Sequence, residues 1–183
     1  MTKFRIHTVE SAPEKSKALL EDSLKAYGMI PGLHAVLAES PGLLKAYQEL
    51  HELFVNTSFN NDELTVVWQT INVEHECHYC VPAHTAIAKM MQVDDAITDA
   101  LRNGTPVPNE KLQALHVFTL SVVRKRGAVT EEELEAFFAA GYEQRHVLEV
   151  ILGLSQKVIS NYVNRVAATP VDKGFQKYAW EKK

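Results

Sequence analysis

Residues 74–84 read Glu-His-Glu-Cys-His-Tyr-Cys-Val-Pro-Ala-His and contain both cysteines of the chain and three of its eight histidines. At ~100° per residue on an α-helix, Cys77, Cys80 and His84 fall within about one sixth of the circumference. The spacing therefore sets two thiols and one imidazole on a single face. Pro82 has no N–H and is tolerated without a kink only in a first turn, which places both cysteines at or near a helix start. Free backbone N–H groups and the positive end of the helix dipole favour a thiolate there. A thiol with a lowered pKa is a nucleophile at neutral pH. The i, i+3 spacing also leaves the two Cβ atoms ~5–6 Å apart, within reach of a disulfide. That bond closes almost no loop and adds little stability, so the pair reads as chemistry rather than as a staple. His84, one turn beyond Cys80, is in place to take its proton or orient it.

Two other readings of these residues stay open. Cysteines at i, i+3 can be plain core residues, because free Cys is often buried. Cys77, Cys80 and His84 with Glu74 or His75 could also supply four zinc ligands, making a non-catalytic zinc-binding or redox-sensing protein. Structural zinc usually draws on two separated pairs, and no second such pair exists elsewhere in the chain. His34, His51, His116 and His146 read as structural residues, and His78 as a solvated or supporting one.

These groups are carried by a chain of 183 residues, a length that suits one domain (1–183) with its own core. The net charge is −4. The basic cluster Arg124-Lys125-Arg126 reads as a helix end, so no nucleic-acid partner is expected. No apolar run approaches the ~18 residues of a membrane span, and the first residues hold no apolar signal core. No membrane association and a cytoplasmic location are expected. Two cysteines cannot build a disulfide framework.

The punctuation is helical throughout, with no sustained period-2 alternation. Pro13 and Gly28 bracket a first helix, and Ser40-Pro41 opens a second with the stripe Leu43, Ala46, Tyr47, Leu50, Leu53 and Phe54. Asn60 with Glu63, and Thr130 with Glu133, form capping-box patterns. A helix begins around 77–80 and runs to about 91. Asp94 and Asn109 cap two more. The last and longest covers about 142–166, with Leu148, Ile151, Leu152, Ser155, Ile159, Tyr162 and Val166 as its stripe. A polar tail follows Pro170. The expectation is an all-α, single-domain bundle of about seven or eight helices.

The string EHECHYCVPAH resembles the C-x-x-C-x-x-x-H signature of the alkylhydroperoxidase D-like (AhpD-like) group within the carboxymuconolactone decarboxylase family. The stretch HVLEVILGLSQKVISNYVNRV, with Glu149 and Asn161, is similar to that family's C-terminal helix. The resemblance covers about residues 30–170 in pattern and is specific over the motif. It implies an all-helical fold, a homo-oligomer, and a thiol-dependent peroxidase or dithiol–disulfide adaptor. It implies that Cys80 attacks a peroxide (an organic hydroperoxide or hydrogen peroxide), that Cys77 resolves, and that an external dithiol reductant restores the pair. No bound cofactor or metal is implied. The family's proton relay places a Glu twelve residues before the first motif Cys, where this chain has Thr65. Glu63, two residues earlier, is the candidate relay residue, or else a helix cap; Glu74 is a further candidate. Some relatives carry His immediately before the second Cys, and here that residue is Tyr79. A carboxymuconolactone-type lyase is the remaining alternative. It would need hydrogen-bonding or cationic groups lining a cleft.

Overall fold

The computed structural model describes residues 4–182. Nine α-helices and one 3₁₀ helix form among the described residues, with no strand. The all-α expectation holds, and the count exceeds seven or eight by two short elements that carry no periodic signal.

Helix α1 (Glu14–Tyr27) ends on Gly28 in the left-handed conformation, φ 69°, where a Cβ would be strained. Helix α2 (Gly32–Leu37) is one of the unforeseen elements. All six of its residues are buried, so it has no polar face to mark it. Helix α3 (Pro41–Val55) begins on Pro41 as the sequence indicates. Helix α4 (Asn61–Glu74) opens with the Asn60/Glu63 capping box, and residues 63–72 are all buried. A helix apolar or hydrogen-bonded all round belongs in the middle, and α4 packs on α5 (Cys80–Met90), α6 (Asp95–Asn103), α7 (Glu110–Arg124) and α9 (Gln144–Ala167). Helix α8 (Glu131–Ala139) opens with the second expected capping box, Thr130/Glu133.

Two apolar clusters form, and the buried apolar residues of α4 belong to the first. One gathers Phe54, Trp68, Leu115, Phe118 and Phe137. The other gathers Leu20, Leu33, Leu37, Leu44 and Tyr47, and both cysteines sit in it.

Helix α9 departs from the expected orientation over most of its stripe; only Leu152 and Ile159 of the stripe's apolar residues pack inward, against the two clusters. Leu148 and Val166 are 67% and 72% exposed, and Ile151 and Tyr162 are exposed as well. The inward face carries Val150, Gly153, Gln156, Lys157, Ser160, Asn161 and Asn164. An apolar stripe marks the face suited to leaving water. Here the fully buried positions are instead mostly polar, and Gln156, Lys157, Asn161 and Asn164 hydrogen-bond to α3, α4 and α5, with Asn164 Oδ1 alone among their polar atoms buried without a partner in the described residues. Gly153 lets α9 approach α3: a Cβ there would lie 2.7 Å from the Phe54 ring. On α3, Leu44, Tyr47 and Phe54 are buried while Leu53 faces water.

The polar tail folds back as a strap. After Thr169 it bonds to α2 through Asp172, forms the 3₁₀ helix Lys173–Tyr178 against α5, and reaches the last turn of α6. Arg102 donates to the carbonyls of Tyr178 and Ala179, and the Trp180 indole donates to the Arg102 carbonyl at 2.9 Å.

Candidate active site

Helix α5 starts at Cys80, so Cys77 lies in the turn before it. The Val81 N–H nevertheless bonds the Cys77 carbonyl at 3.1 Å, so the turn leads straight into the helix. Pro82 falls in the first turn, where its missing N–H costs nothing. The Cys77 N–H is held by the Asn72 carbonyl at 2.9 Å, and Glu76 takes φ 52° to make the corner. Both thiols are free, and Cys77 and Cys80 are 1% and 2% exposed.

The two residues between the cysteines grip the strap. The His78 ring donates to the Thr169 carbonyl at 2.9 Å. The Tyr79 hydroxyl donates to Asp172, whose carboxylate also accepts the Gly32 N–H at 3.2 Å. The residues at 78 and 79 therefore tie the strap to the segment that carries the two thiols, and the strap's Phe175 packs against the cluster in which both sit.

Polar side chains of α9 and α4 surround Cys80. The Asn164 amide donates to the Cys80 sulfur at 3.3 Å. Asn161 donates to Asn72 at 3.0 Å and accepts from His75 at 2.9 Å. Gln69 donates to the Val81 carbonyl and to Thr85. Lys157, 1% exposed, places its ammonium 2.9 Å from His84 Nε2. Trp68 packs against the His84 ring with centroids 4.7 Å apart, and its N–H is taken by Gln156.

The surroundings treat the two sulfurs oppositely. Burial opposes a charge on Cys80. It is outweighed by the hydrogen bond from Cys77, the Lys157 ammonium, and the amides of Asn164 and Asn161, which together hold this thiol well below its ordinary range. Cys77 is pushed up, first by its hydrogen bond to Cys80, then by burial and by the Cys80 charge; the Cys80 N–H, 3.2 Å from the Cys77 sulfur, pulls the other way and does not prevail. A thiolate at Cys80 with a protonated Cys77 donating to it is the state this favours. Burial, then the charge on Lys157, keeps the His84 imidazole neutral.

Of the four residues singled out from sequence, the structure brings Cys77, Cys80 and His84 to one end of α5. His84 does not bond either sulfur: its Nε2 faces Lys157, and its Nδ1 has no partner. Glu63 is elsewhere. It is nine residues from Asn72 along α4, roughly 13 Å of helix. Its carboxylate accepts the Asn60 N–H at 3.0 Å and pairs with Lys111 at 3.2 Å. Glu74 is paired with Arg124. Lys157 and Asn164 are the site residues that sequence reasoning missed. Their signal was faint: positions 157, 161 and 164 share one α9 face at i, i+4, i+7 spacing, with Asn161 already singled out. Among the described residues no three His, Cys, Asp or Glu side chains converge to hold a metal. An ammonium beside His84 is also a poor neighbour for a cation.

Structural comparison settles the architecture. The chain superposes on the alkylhydroperoxidase AhpD core of an uncharacterized peroxidase-related protein from Ralstonia eutropha JMP134 with a TM-score of 0.83, covering 94% of this chain and 93% of that one at 17% identity. The chain has the AhpD-like fold. An uncharacterized peroxidase-related protein from Silicibacter sp. TM1040 shares this AhpD-like fold (TM-score 0.78, 15% identity, 95% of each chain). So does a cysteine-to-alanine variant of the debrominase Bmp8 in complex with 2,3,4-tribromopyrrole (TM-score 0.78, 13% identity, 97% of this chain and 95% of that one). At these identities the likeness is one of AhpD-like architecture. No family model matches the sequence, and no curated protein matches it. No helix among the described residues is long and apolar enough to cross a membrane.

Proposed function

We propose that the protein is a cytoplasmic thiol-dependent peroxidase in which Cys80 is the nucleophile and Cys77 the resolving thiol. The observation that carries this reading is the asymmetry of the pair: the Asn164 amide donates to the Cys80 sulfur at 3.3 Å, the Cys77 sulfur has no such side-chain donor among the described residues, and these surroundings favour a charge on Cys80 and a proton on Cys77. In the first step the Cys80 thiolate attacks the distal oxygen of ROOH. The O–O bond breaks, the sulfur becomes a sulfenic acid, and the departing oxygen takes a proton to leave as ROH. Cys77 then condenses with the sulfenic acid, releasing water and closing the Cys77–Cys80 disulfide. An external dithiol reduces this by exchange and becomes a disulfide itself. Burial of both sulfurs favours small oxidants, with hydrogen peroxide the least hindered, and gives the strap a part in access.

Self-association belongs to the same proposal. The outward stripe of Leu148, Ile151, Tyr162 and Val166 on α9 is the kind of exposed apolar surface that marks an interface.

The test is peroxide consumption with a dithiol donor. Cys80→Ser and Cys77→Ser should each abolish multiple turnover. Cys77→Ser should still consume one equivalent and leave a sulfenic acid trappable at Cys80. A variant lacking both cysteines that consumes peroxide at the wild-type rate would overturn the assignment. Bromide release from a bromopyrrole, with no peroxide turnover, would move the dithiol to reductive dehalogenation.

A further inference from the structure

We propose that Lys157 is the counter-ion of the Cys80 thiolate and the proton reservoir of the dithiol, acting through His84. The inference rests on the peroxidase reading above for its reaction, and on geometry for its placement. Lys157 comes from the middle of α9 and is 1% exposed. Its ammonium donates to His84 Nε2 at 2.9 Å. The titratable groups facing it are Cys80 at the start of α5, Cys77 in the turn before it, His84 on α5, and His51 on α3. None is a carboxylate. Asp172, which reaches Tyr79 from the strap, is bonded to Tyr79 and Gly32. A buried ammonium needs a compensating charge, and here the available anion is the Cys80 sulfur.

The imidazole carries a second, independent mark. An ammonium can only donate, so His84 Nε2 accepts and the ring proton sits on Nδ1. That Nδ1–H is buried and has no partner. Buried donors without acceptors are rare and costly. This one offers a hydrogen bond to an oxygen that arrives only with substrate. When the Cys80 thiolate attacks ROOH, the departing oxygen takes the Nδ1 proton, and Lys157 passes a proton to Nε2. The oxidative half is then balanced: Cys80-S⁻, Cys77-SH, Lys157-NH₃⁺ and ROOH give the disulfide, Lys157-NH₂, ROH and water. In the reductive half an external dithiol returns two thiols, and the Cys80 proton moves back to Lys157. Lys157 thus holds a positioning role whose charge follows the redox state of the cysteines. With the disulfide formed, no anion faces it and it is neutral.

Lys157→Met keeps the side-chain length and removes the charge. Thiolate absorbance near 240 nm, followed against pH in the Cys77→Ser background, should show the Cys80 midpoint displaced upward by about a unit or more, so that thiolate and alkylation rate fall about tenfold at pH values below the midpoint and about twofold or more at neutral pH. A midpoint that stays put in a cooperatively melting variant overturns the proposal. If Lys157→Met does not fold, the wild-type protein decides. The ¹³Cε resonance of Lys157, in lysine-labelled protein, should report a charged amine in the dithiol form and a neutral one after diamide closes the disulfide. An unchanged resonance overturns the proposal. Neither measurement uses peroxide. Linked titration without peroxide turnover would therefore sink the peroxidase reading alone, and turnover with an unlinked Lys157 would sink this inference alone.

Discussion

Asn164 and Cys80 meet across 84 residues of chain, the amide of one donating to the sulfur of the other at 3.3 Å. The bond ties the far end of α9 to the first residue of α5 and supplies a dipole that prefers a charged sulfur. Hydrogen bonds to charged groups are worth about 1.5–3 kcal/mol. Asn164→Leu should therefore raise the Cys80 midpoint by about one to two units and slow alkylation by about two- to tenfold at neutral pH, and by about ten- to a hundredfold below the midpoint. Stopped-flow alkylation of single-cysteine protein checks it; an unmoved midpoint would show that the amide is incidental.

The pH dependence of wild type follows from the sign of the same shift. Cys80 is depressed from an ordinary thiol value to about 6, so its thiolate fraction climbs as pH rises through about 6 and is near its plateau by neutrality. Reactivity toward a neutral alkylating agent should follow that curve, losing roughly tenfold for each unit below the midpoint. An unperturbed thiol would still be climbing above pH 8. A rate that keeps rising through that range would remove the electrostatic basis of the nucleophile.

The strap is expected to govern access. Asp172 joins it to Tyr79 and to the Gly32 N–H, and its Phe175 packs against the cluster that holds both thiols. Asp172→Ala removes the acceptor and leaves a buried hydroxyl and an amide N–H to find other partners, a cost of about 1–3 kcal/mol concentrated in the closed form. Alkylation of the thiols by a bulky maleimide should accelerate about tenfold or more, with a smaller effect on the pH midpoint. Equal maleimide rates in the two proteins would mean that access runs by another route.

Much of this arrangement is legible in the sequence, and the remainder is hidden for identifiable reasons. Asn60/Glu63 and Thr130/Glu133 are local devices, complete within four residues, and both form as read. Cys77, Cys80 and His84 gather because eight residues of turn and helix suffice to gather them. Lys157 is hidden because a lone lysine on a long amphipathic helix reads as solvent-facing, and only the tertiary partner His84 turns it inward. The same partners turn α9: Gln156, Lys157, Asn161 and Asn164 hydrogen-bond to α3, α4 and α5, so Leu148, Ile151, Tyr162 and Val166 face out while Leu152 and Ile159 pack inward. The strap escapes notice because its bonds run from Thr169, Asp172 and Trp180 to residues 78, 79 and 102, and no local pattern encodes them.

Glu63 offers a decision between two roles that the sequence leaves open. Its carboxylate closes a capping box and pairs with Lys111 at the end of α4 remote from Asn72. As a cap, it should matter to stability and not to sulfur chemistry. Glu63→Ala should lower the stability of the protein by about 0.5–2 kcal/mol, the usual range for a lost cap, read as a fall in the denaturant midpoint at constant slope. The Cys80 titration should be unchanged, because roughly 13 Å of buried helix separates Glu63 from Asn72. Glu63→Gln, which keeps an N3 acceptor for the Asn60 N–H, should recover most of the lost stability. A displaced Cys80 midpoint in both variants would instead make Glu63 part of a proton relay. It would also require a path from α4's first turn to His84 that neither the Asn60 bond nor the Lys111 pair provides.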